Sequence, residues 1–518
     1  MRYGFVIDHR KCIGCHACTV ACKTEHEVPL GVFRTWVKYV ERGTYPHARR
    51  FFTVLRCNHC TDPPCVRICP TRALVKRPDG IVDFDASRCI GCKSCMQACP
   101  YDALYIDPGT GTAAKCNYCA HRVEVGLEPA CVIVCPERAI VAGDLEAPES
   151  EIARLVAREQ VEVRKPEQGT GPNVYYIGAD AASLTPTVIA RGQEYLWAQA
   201  ASAEGARELA AEAVAAASPH GASAGGLGRV TYDVAHPTPW GWLVALYLWT
   251  KGIGAGALLV PCLLVGLGLT RELRLLGVWA PLVALAFNGI TTALLVADLK
   301  RPERFHYLLL RPNWTSWLVR GAYILMAHAG ASAVWLILAW TGQGPVMRAL
   351  AWPGALVALA AAGYTAFLFG QAEGRDLWQS PLFLWHLLTQ AGLAGGSVLL
   401  LSAVAVGAGA QLVGLCAGVV AGALVLNALI LVGELLCSPA SREVALAEAL
   451  IRRGRFAPAF WGGVIGGGSV LPLGLLLATR AWTGDAPAAA AAAALLILGA
   501  LIVHEGIFVK AGQAVPLS

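Results

Sequence analysis

The sequence predicts two unlike halves: an α+β domain of two lobes, then an all-α bundle of eight membrane-crossing helices. Two observations carry this. Sixteen of the nineteen cysteines fall between Cys12 and Cys135, in four runs of four. The chain is charged and mixed up to about residue 235, and beyond it come long apolar runs rich in Leu, Ala, Gly and Val. The mean hydropathy of +0.50 averages the two.

The first run is Cys12, Cys15, Cys18, Cys22 and the third is Cys89, Cys92, Cys95, Cys99, both with the CxxCxxCxxxC spacing of ferredoxin-type cubane binding. The second, Cys57, Cys60, Cys65, Cys69, stretches its middle gap, and the fourth, Cys116, Cys119, Cys131, Cys135, stretches it further. A cubane takes one thiolate per iron, and cysteines three apart wrap three corners without strain. The last cysteine of a run serves the neighbouring cluster, so runs act in pairs. The cysteines thus supply every corner of four [4Fe–4S] clusters, and the domain is expected to be ferredoxin-like. Structural zinc would use separated CxxC pairs. Disulfides would suit a small secreted domain.

In chain order, Tyr3 to Asp8 alternates like a strand and delivers the chain to Cys12. Arg34 to Val40 and Phe51 to Leu55 predict two strands of a small inserted sheet, and Arg77 to Asp85 a polar hairpin between the second and third runs. His16 and His59 lie inside cysteine runs, but every corner already has a thiolate, so they are expected in the surrounding shell. Lys93 and Lys115 are cations close to clusters, where they favour the reduced state. Asn173 to Ile177 predicts a strand, Ala198 to Ala217 an exposed helix, and His220 to Gly228 a flexible tether. The domains are expected at 1–197 and 236–518, with 198–235 as the linker.

Eight apolar stretches are long enough to cross a bilayer: Trp240 to Leu267, Leu275 to Ala297, Trp317 to Trp340, Trp352 to Phe369, Leu382 to Val406, Leu412 to Leu436, Phe460 to Ala478 and Ala488 to Val509. The cluster-domain side carries Lys300, Arg301, Arg304, Arg311, Arg320, Arg375, Arg442, Arg452, Arg453, Arg455 and Lys510, against Arg271, Arg274, Arg348 and Arg480 opposite. The positive-inside rule then predicts a multi-pass protein of a prokaryotic inner membrane with a cytoplasmic cluster domain, the alternative being a periplasmic one exported on a partner's signal. The start, Met1 to Asp8, shows neither an apolar secretory core nor a twin-arginine signal, in keeping with that expectation. A net charge of +6 is too small and dispersed for a nucleic-acid partner.

Ionisable groups inside apolar spans are functional candidates. Lys251 lies near mid-membrane in the first span and His328 at similar depth in the third. His386 and Gln390 share a face of the fifth span, Glu434 ends the sixth, and His504 with Glu505 sits late in the eighth. Being adjacent, His504 and Glu505 are expected to face apart, with at most one pointing into the bundle. Lys251, His328, His386 and Glu505, with Asp298 and Arg304 from the charged loop Asp298 to Trp317, are the candidate quinone-site residues. No nucleophile, substrate pocket or other catalytic residue is evident.

These residues resemble two families. The first half is similar to the electron-transfer subunits of complex iron–sulfur molybdoenzymes, through Cys57-Asn58-His59-Cys60 with Asp62-Pro63-Pro64-Cys65, and Cys89-Ile90-Gly91-Cys92. The second resembles the eight-span NrfD quinone subunits, through Trp240-Gly241-Trp242, the Asp298 to Trp317 loop, Ala511-Gly512-Gln513 and Pro516-Leu517-Ser518. The resemblance implies four ligand sets: Cys12, Cys15, Cys18 and Cys135; Cys22, Cys116, Cys119 and Cys131; Cys57, Cys60, Cys65 and Cys99; Cys69, Cys89, Cys92 and Cys95. It places the Cys69 set at the membrane and the Cys12 set toward a partner. It further implies an exchangeable menaquinone or ubiquinone and a separate molybdopterin (Mo or W) catalytic subunit. The fusion departs from families that usually keep these halves in separate chains. The alternatives are a stand-alone redox adaptor serving soluble ferredoxin, or a proton-translocating module.

Overall fold

The computed structural model describes residues 1–43, 46–188, 190–191, 228–270, 272, 274–478 and 485–518. The helix expected at Ala198 to Ala217 lies outside them.

Tyr3–Asp8 forms a strand, as its alternation predicts, and sits inside a four-stranded sheet. It pairs antiparallel with Ile140–Asp144 and parallel with Val174–Ile177, in register Ile7↔Ile140 and Phe5↔Val174. Phe5, Val6 and Ile7 are all buried because the strand is covered on both faces. The expected inserted sheet is a hairpin of Thr35–Arg42 and Arg49–Arg56, in register Trp36↔Leu55.

The linker expectation needs one correction. Arg229–Tyr232, inside 198–235, is a strand paired antiparallel with Thr35–Arg42. The Gly, Ala and Ser tract ends at Gly228, and Val230, Thr231 and Tyr232 are strand formers that find an open edge.

The four cysteine runs share one backbone device. The residue before the second cysteine is left-handed in each: Gly14 (φ 71°), His59 (43°), Gly91 (68°) and Tyr118 (61°). Such turns point successive amides into the loop, forming a nest for an anionic group. Each run then enters a short helix, carrying Cys18 and Cys22 on Ala17–Glu25, Cys65 on Pro64–Ile68, Cys95 on Ser94–Ala98 and Cys131 on Ala130–Ile133.

Among the described residues eight helices are long and apolar enough to cross a membrane. They are Trp242–Gly266, Arg274–Ala297, Trp317–Trp340, Gly344–Gly370, Phe383–Ala405, Ala410–Leu436, Ala459–Ala478 and Pro487–Ala514. The fourth starts earlier than its apolar run implies, because Gly344-Pro345 opens the helix and Arg348 is carried within it. The first span is central and buried along most of its length. It crosses the fifth so closely that a Cβ at Gly256 would overlap the Ala391 carbonyl oxygen, and one at Gly395 would overlap the backbone of Gly256.

The loop between the second and third spans and the loop after the fourth dock on the second and third cysteine runs. Lys300 N–H donates to Gly91 O (3.2 Å), and Arg301 N–H to Ile90 O (3.2 Å). Asn313 Nδ2 donates to Cys69 O (2.8 Å), Ser316 Oγ to Ile68 O (2.7 Å), and Arg304 Nη1 to Ala86 O (2.8 Å) and Cys89 O (3.0 Å). From the later loop, buried Arg375 donates to Gln97 Oε1 (2.9 Å), while Gln97 Nε2 donates to Gln513 Oε1 (2.6 Å). Among the described residues no such bond reaches the first or fourth run.

Candidate cofactor sites

Two cavities in the cysteine-rich domain are each lined by one complete quartet. Cys69, Cys89, Cys92 and Cys95 surround about 390 Å³ together with Lys93, Ile90 and Leu74. Cys12, Cys15, Cys18 and Cys135 surround about 350 Å³ together with Val37, Val54 and Ile140. Elsewhere Cys57, Cys60, Cys65 and Cys99 stand close enough to act on one another electrostatically, as do Cys22, Cys116, Cys119 and Cys131. The two cavities bring together two of the four sets that the family resemblance implies.

The residues present fit cubane clusters. Among the described residues no three His, Cys, Asp or Glu side chains converge on a single-ion site. A tetrahedral zinc thiolate needs such convergence, whereas thiolates at the corners of a cubane stand farther apart. Burial pushes the Cys18 thiol up to about 11 and those of Cys92 and Cys119 to about 12. Thiolate ligation must therefore displace protons, and the nearby cations favour that.

Those cations are mostly buried. Lys115 donates to the carbonyls of Val82 and Cys116, and Lys76 to those of His59, Cys60 and Gly80. His59 accepts from Val82 N–H at Nδ1 (3.1 Å), and His16 bonds the Tyr39 hydroxyl (2.9 Å), so both histidines belong to the shell. Sequence reasoning missed Arg56, whose Nη1 lies 3.1 Å from Cys131 Sγ, and His26, whose Nε2 lies 3.1 Å from Cys119 Sγ. Arg56 had a signal, since it directly precedes Cys57.

In the membrane half, Lys251, Gln390 and Glu505 line one cavity whose walls are Leu248, Trp249, Leu387, Ala394 and Leu501. Lys251 Nζ donates to Ala362 O (2.7 Å) and Thr365 Oγ1 (2.5 Å). A polar chain continues behind it. Gln390 Nε2 meets His504 Nδ1 (2.9 Å), the His504 and His386 rings stack at 4.8 Å, and His386 Nδ1 approaches Glu434 Oε1 (3.4 Å).

The expectation that His504 and Glu505 face apart is revised here. His504 and Glu505 both engage the bundle, because the eighth span packs against the first, fifth and seventh and has partners over a wide arc. Asp298 and Arg304 do not line the cavity; Asp298 pairs with Lys93, and Arg304 donates to the carbonyls of Ala86 and Cys89. His328 is buried on the third span and does not line it either.

Cysteine quartets in a ferredoxin-like domain, docked on an eight-helix bundle, define a membrane-bound iron–sulfur electron-transfer protein. Residues 232–516 match the family described as "Polysulphide reductase, NrfD", and the chain belongs to that family. Residues 48–145 match a 4Fe-4S dicluster domain and residues 10–25 a 4Fe-4S binding domain. The first half is similar to a tetrathionate reductase subunit of Salmonella typhimurium, 47% identical over 200 residues, 38% of this chain and 80% of the relative. It is also similar to one of the polysulfide reductase polypeptides of Wolinella succinogenes, 39% identical over 34% of this chain and 94% of the relative. The arsenate respiratory reductase iron–sulfur subunit of a Shewanella species is 35% identical over 34% and 96%.

Proposed function

We propose that this chain carries electrons between a membrane quinone and a separate molybdopterin catalytic subunit, through four [4Fe–4S] clusters held by the sixteen cysteines. One observation carries the reading: the Cys69 quartet cavity lies in the loops gripped by the membrane half, while the Cys12 quartet belongs to runs that the membrane half leaves free. When bound, the clusters supply one-electron transfer. The protein's own part is to supply thiolates, to surround them with buried Lys115 and Arg56 and half-buried Lys76, and to exclude water with Val37, Val54 and Ile140.

Quinone binding is assigned to the cavity of Lys251, Gln390 and Glu505. Its walls are apolar, as a quinone ring requires, and Lys251 and Gln390 offer donors to ring oxygens. Glu505 and Lys251 are the groups that exchange protons there, with Gln390, His504, His386 and Glu434 leading outward.

The catalytic partner docks at the Cys12 quartet. Cys15 is exposed there, and Ile13 (55% exposed), Val20 (62%) and Ile133 (54%) leave apolar surface beside it. Isolation of the native complex tests the partner: a co-purifying molybdopterin subunit is expected, and its repeated absence from active membranes sinks this part. Iron and sulfide quantitation tests the clusters. About sixteen irons per chain are expected from four cubanes, and about eight overturn the assignment.

The cluster domain is assigned to the cytoplasmic side of a prokaryotic inner membrane. Arg301, Arg304 and Arg375 are engaged by the cluster domain, yet Arg311, Arg320, Arg442, Arg452, Arg453, Arg455 and Lys510 still outnumber the basic residues opposite. A tag inserted in the 407–409 loop is expected to be reached from outside intact spheroplasts, and cleavage of the cluster domain from outside overturns this.

A further inference from the structure

Arg56 is the last residue of strand Arg49–Arg56 and is 1% exposed. Its guanidinium lies over the Phe5 ring at 4.4 Å. Only Nη1 has a hydrogen-bond partner, Cys131 Sγ; Nε and Nη2 are buried without one. Among the described residues no carboxylate forms an ion pair with it. An arginine does not shed its proton, so burying one without an anion is strongly unfavourable. The groups acting on it are the sulfurs of Cys131, Cys116 and Cys18. Cys18 belongs to the first quartet, while Cys116 and Cys131 belong to the quartet of Cys22.

We infer that Arg56 is the shared counter-cation of these two adjacent clusters, raising both reduction potentials and screening the repulsion between them when both are reduced. The inference rests on the cluster assignment proposed above. A cubane held by four thiolates is anionic and gains a further negative charge with each electron. A fixed cation bonded to Cys131 of one cluster, and near enough to Cys18 of the other to act on it electrostatically, therefore favours the reduced form of each. Its unpartnered Nε and Nη2 are the donors left for cluster sulfurs. Among the described residues Arg56 makes no hydrogen bond to a sulfur of the two quartets gripped by the membrane half, although Cys57 follows it in the chain, so the effect is expected to be largest on this pair.

Redox titration of the full-length holoprotein, followed by paramagnetic resonance, tests this in Arg56→Gln and Arg56→Lys, with iron and sulfide measured on each sample. With iron content unchanged, Arg56→Gln is expected to shift the reduction equilibrium of two clusters about tenfold toward the oxidised form, about 59 mV for a one-electron couple, and to leave the others in place. Arg56→Lys is expected to recover at least half of the shift, because it restores charge without the fork. Four unmoved potentials, or four moved alike, overturn the proposal. If Arg56→Gln loses iron, an iron-replete Arg56→Lys decides: reduction equilibria of two clusters shifted by no more than about threefold toward the oxidised form, with the others in place, support the proposal, and four unmoved potentials or four moved alike overturn it. An iron content near half of the expected value in the wild type would instead indict the cluster assignment.

Discussion

Lys93 and Asp298 meet across the boundary between the two halves, with Nζ 2.8 Å from the carboxylate and side chains only 7% and 17% exposed. Lys93 follows Cys92, and Asp298 closes the second span. Asp298→Ala leaves the lysine buried and unpaired, which is expected to cost about 3 kcal/mol. The prediction is a lower melting temperature and faster proteolytic release of the cluster domain. The double variant Lys93→Met, Asp298→Leu should recover most of the loss. If the single variant melts like the wild type, the pair does not hold the junction.

The crossing of the first and fifth spans has no room for a methyl group. Gly256→Ala is expected to reduce folded protein in membranes severely, because the Cβ would meet the Ala391 carbonyl oxygen. Gly330→Ala, on the third span with nothing nearby, is the control expected to behave normally. Fluorescence-detected size-exclusion chromatography of both variants makes the comparison.

Lys251→Ala removes a cavity donor and should lower quinol-linked electron transfer about tenfold or more, with bound cluster iron unchanged. Glu505→Gln should slow the same reaction and flatten its pH profile. Proton movement in vesicles during turnover separates binding from proton transfer, and an unchanged signal in Lys251→Ala counts against a proton role for that residue.

At the junction His236 lies 2.5 Å from Asp102 and 3.3 Å from Asp233. Burial opposes its charge, but the two carboxylates outweigh it and hold the imidazole up at about 9. Unfolded histidine titrates near 6.5. The stabilisation is thus fully present below about pH 6.5 and is lost as pH rises through about 9, on the order of 3 kcal/mol in total. Thermal melts between pH 6 and 9.5 should lose stability in wild type and run nearly parallel to the axis in His236→Gln, the difference lying in this window.

Much of the architecture was legible because its signals are local. Cysteine spacing marks the four loops, each of which holds a left-handed residue before its second cysteine, at Gly14, His59, Gly91 and Tyr118. Hydropathy located all eight spans to within about one or two turns. Arg229–Tyr232 was obscured by its low-complexity neighbours, and Asp298 by its place in a charged loop that reads equally well as a headgroup anchor.

The sequence by itself determined that sixteen cysteines lie in four runs and that eight apolar helices follow, since both depend on covalent spacing and transfer free energy. Only the tertiary structure decided which groups meet across hundreds of residues: Lys93 with Asp298, Gln97 with Gln513, Gln390 with His504, and Arg56 with Cys131. Such pairs arise because a buried polar group must find a partner wherever packing brings one. No local pattern records which partner that will be.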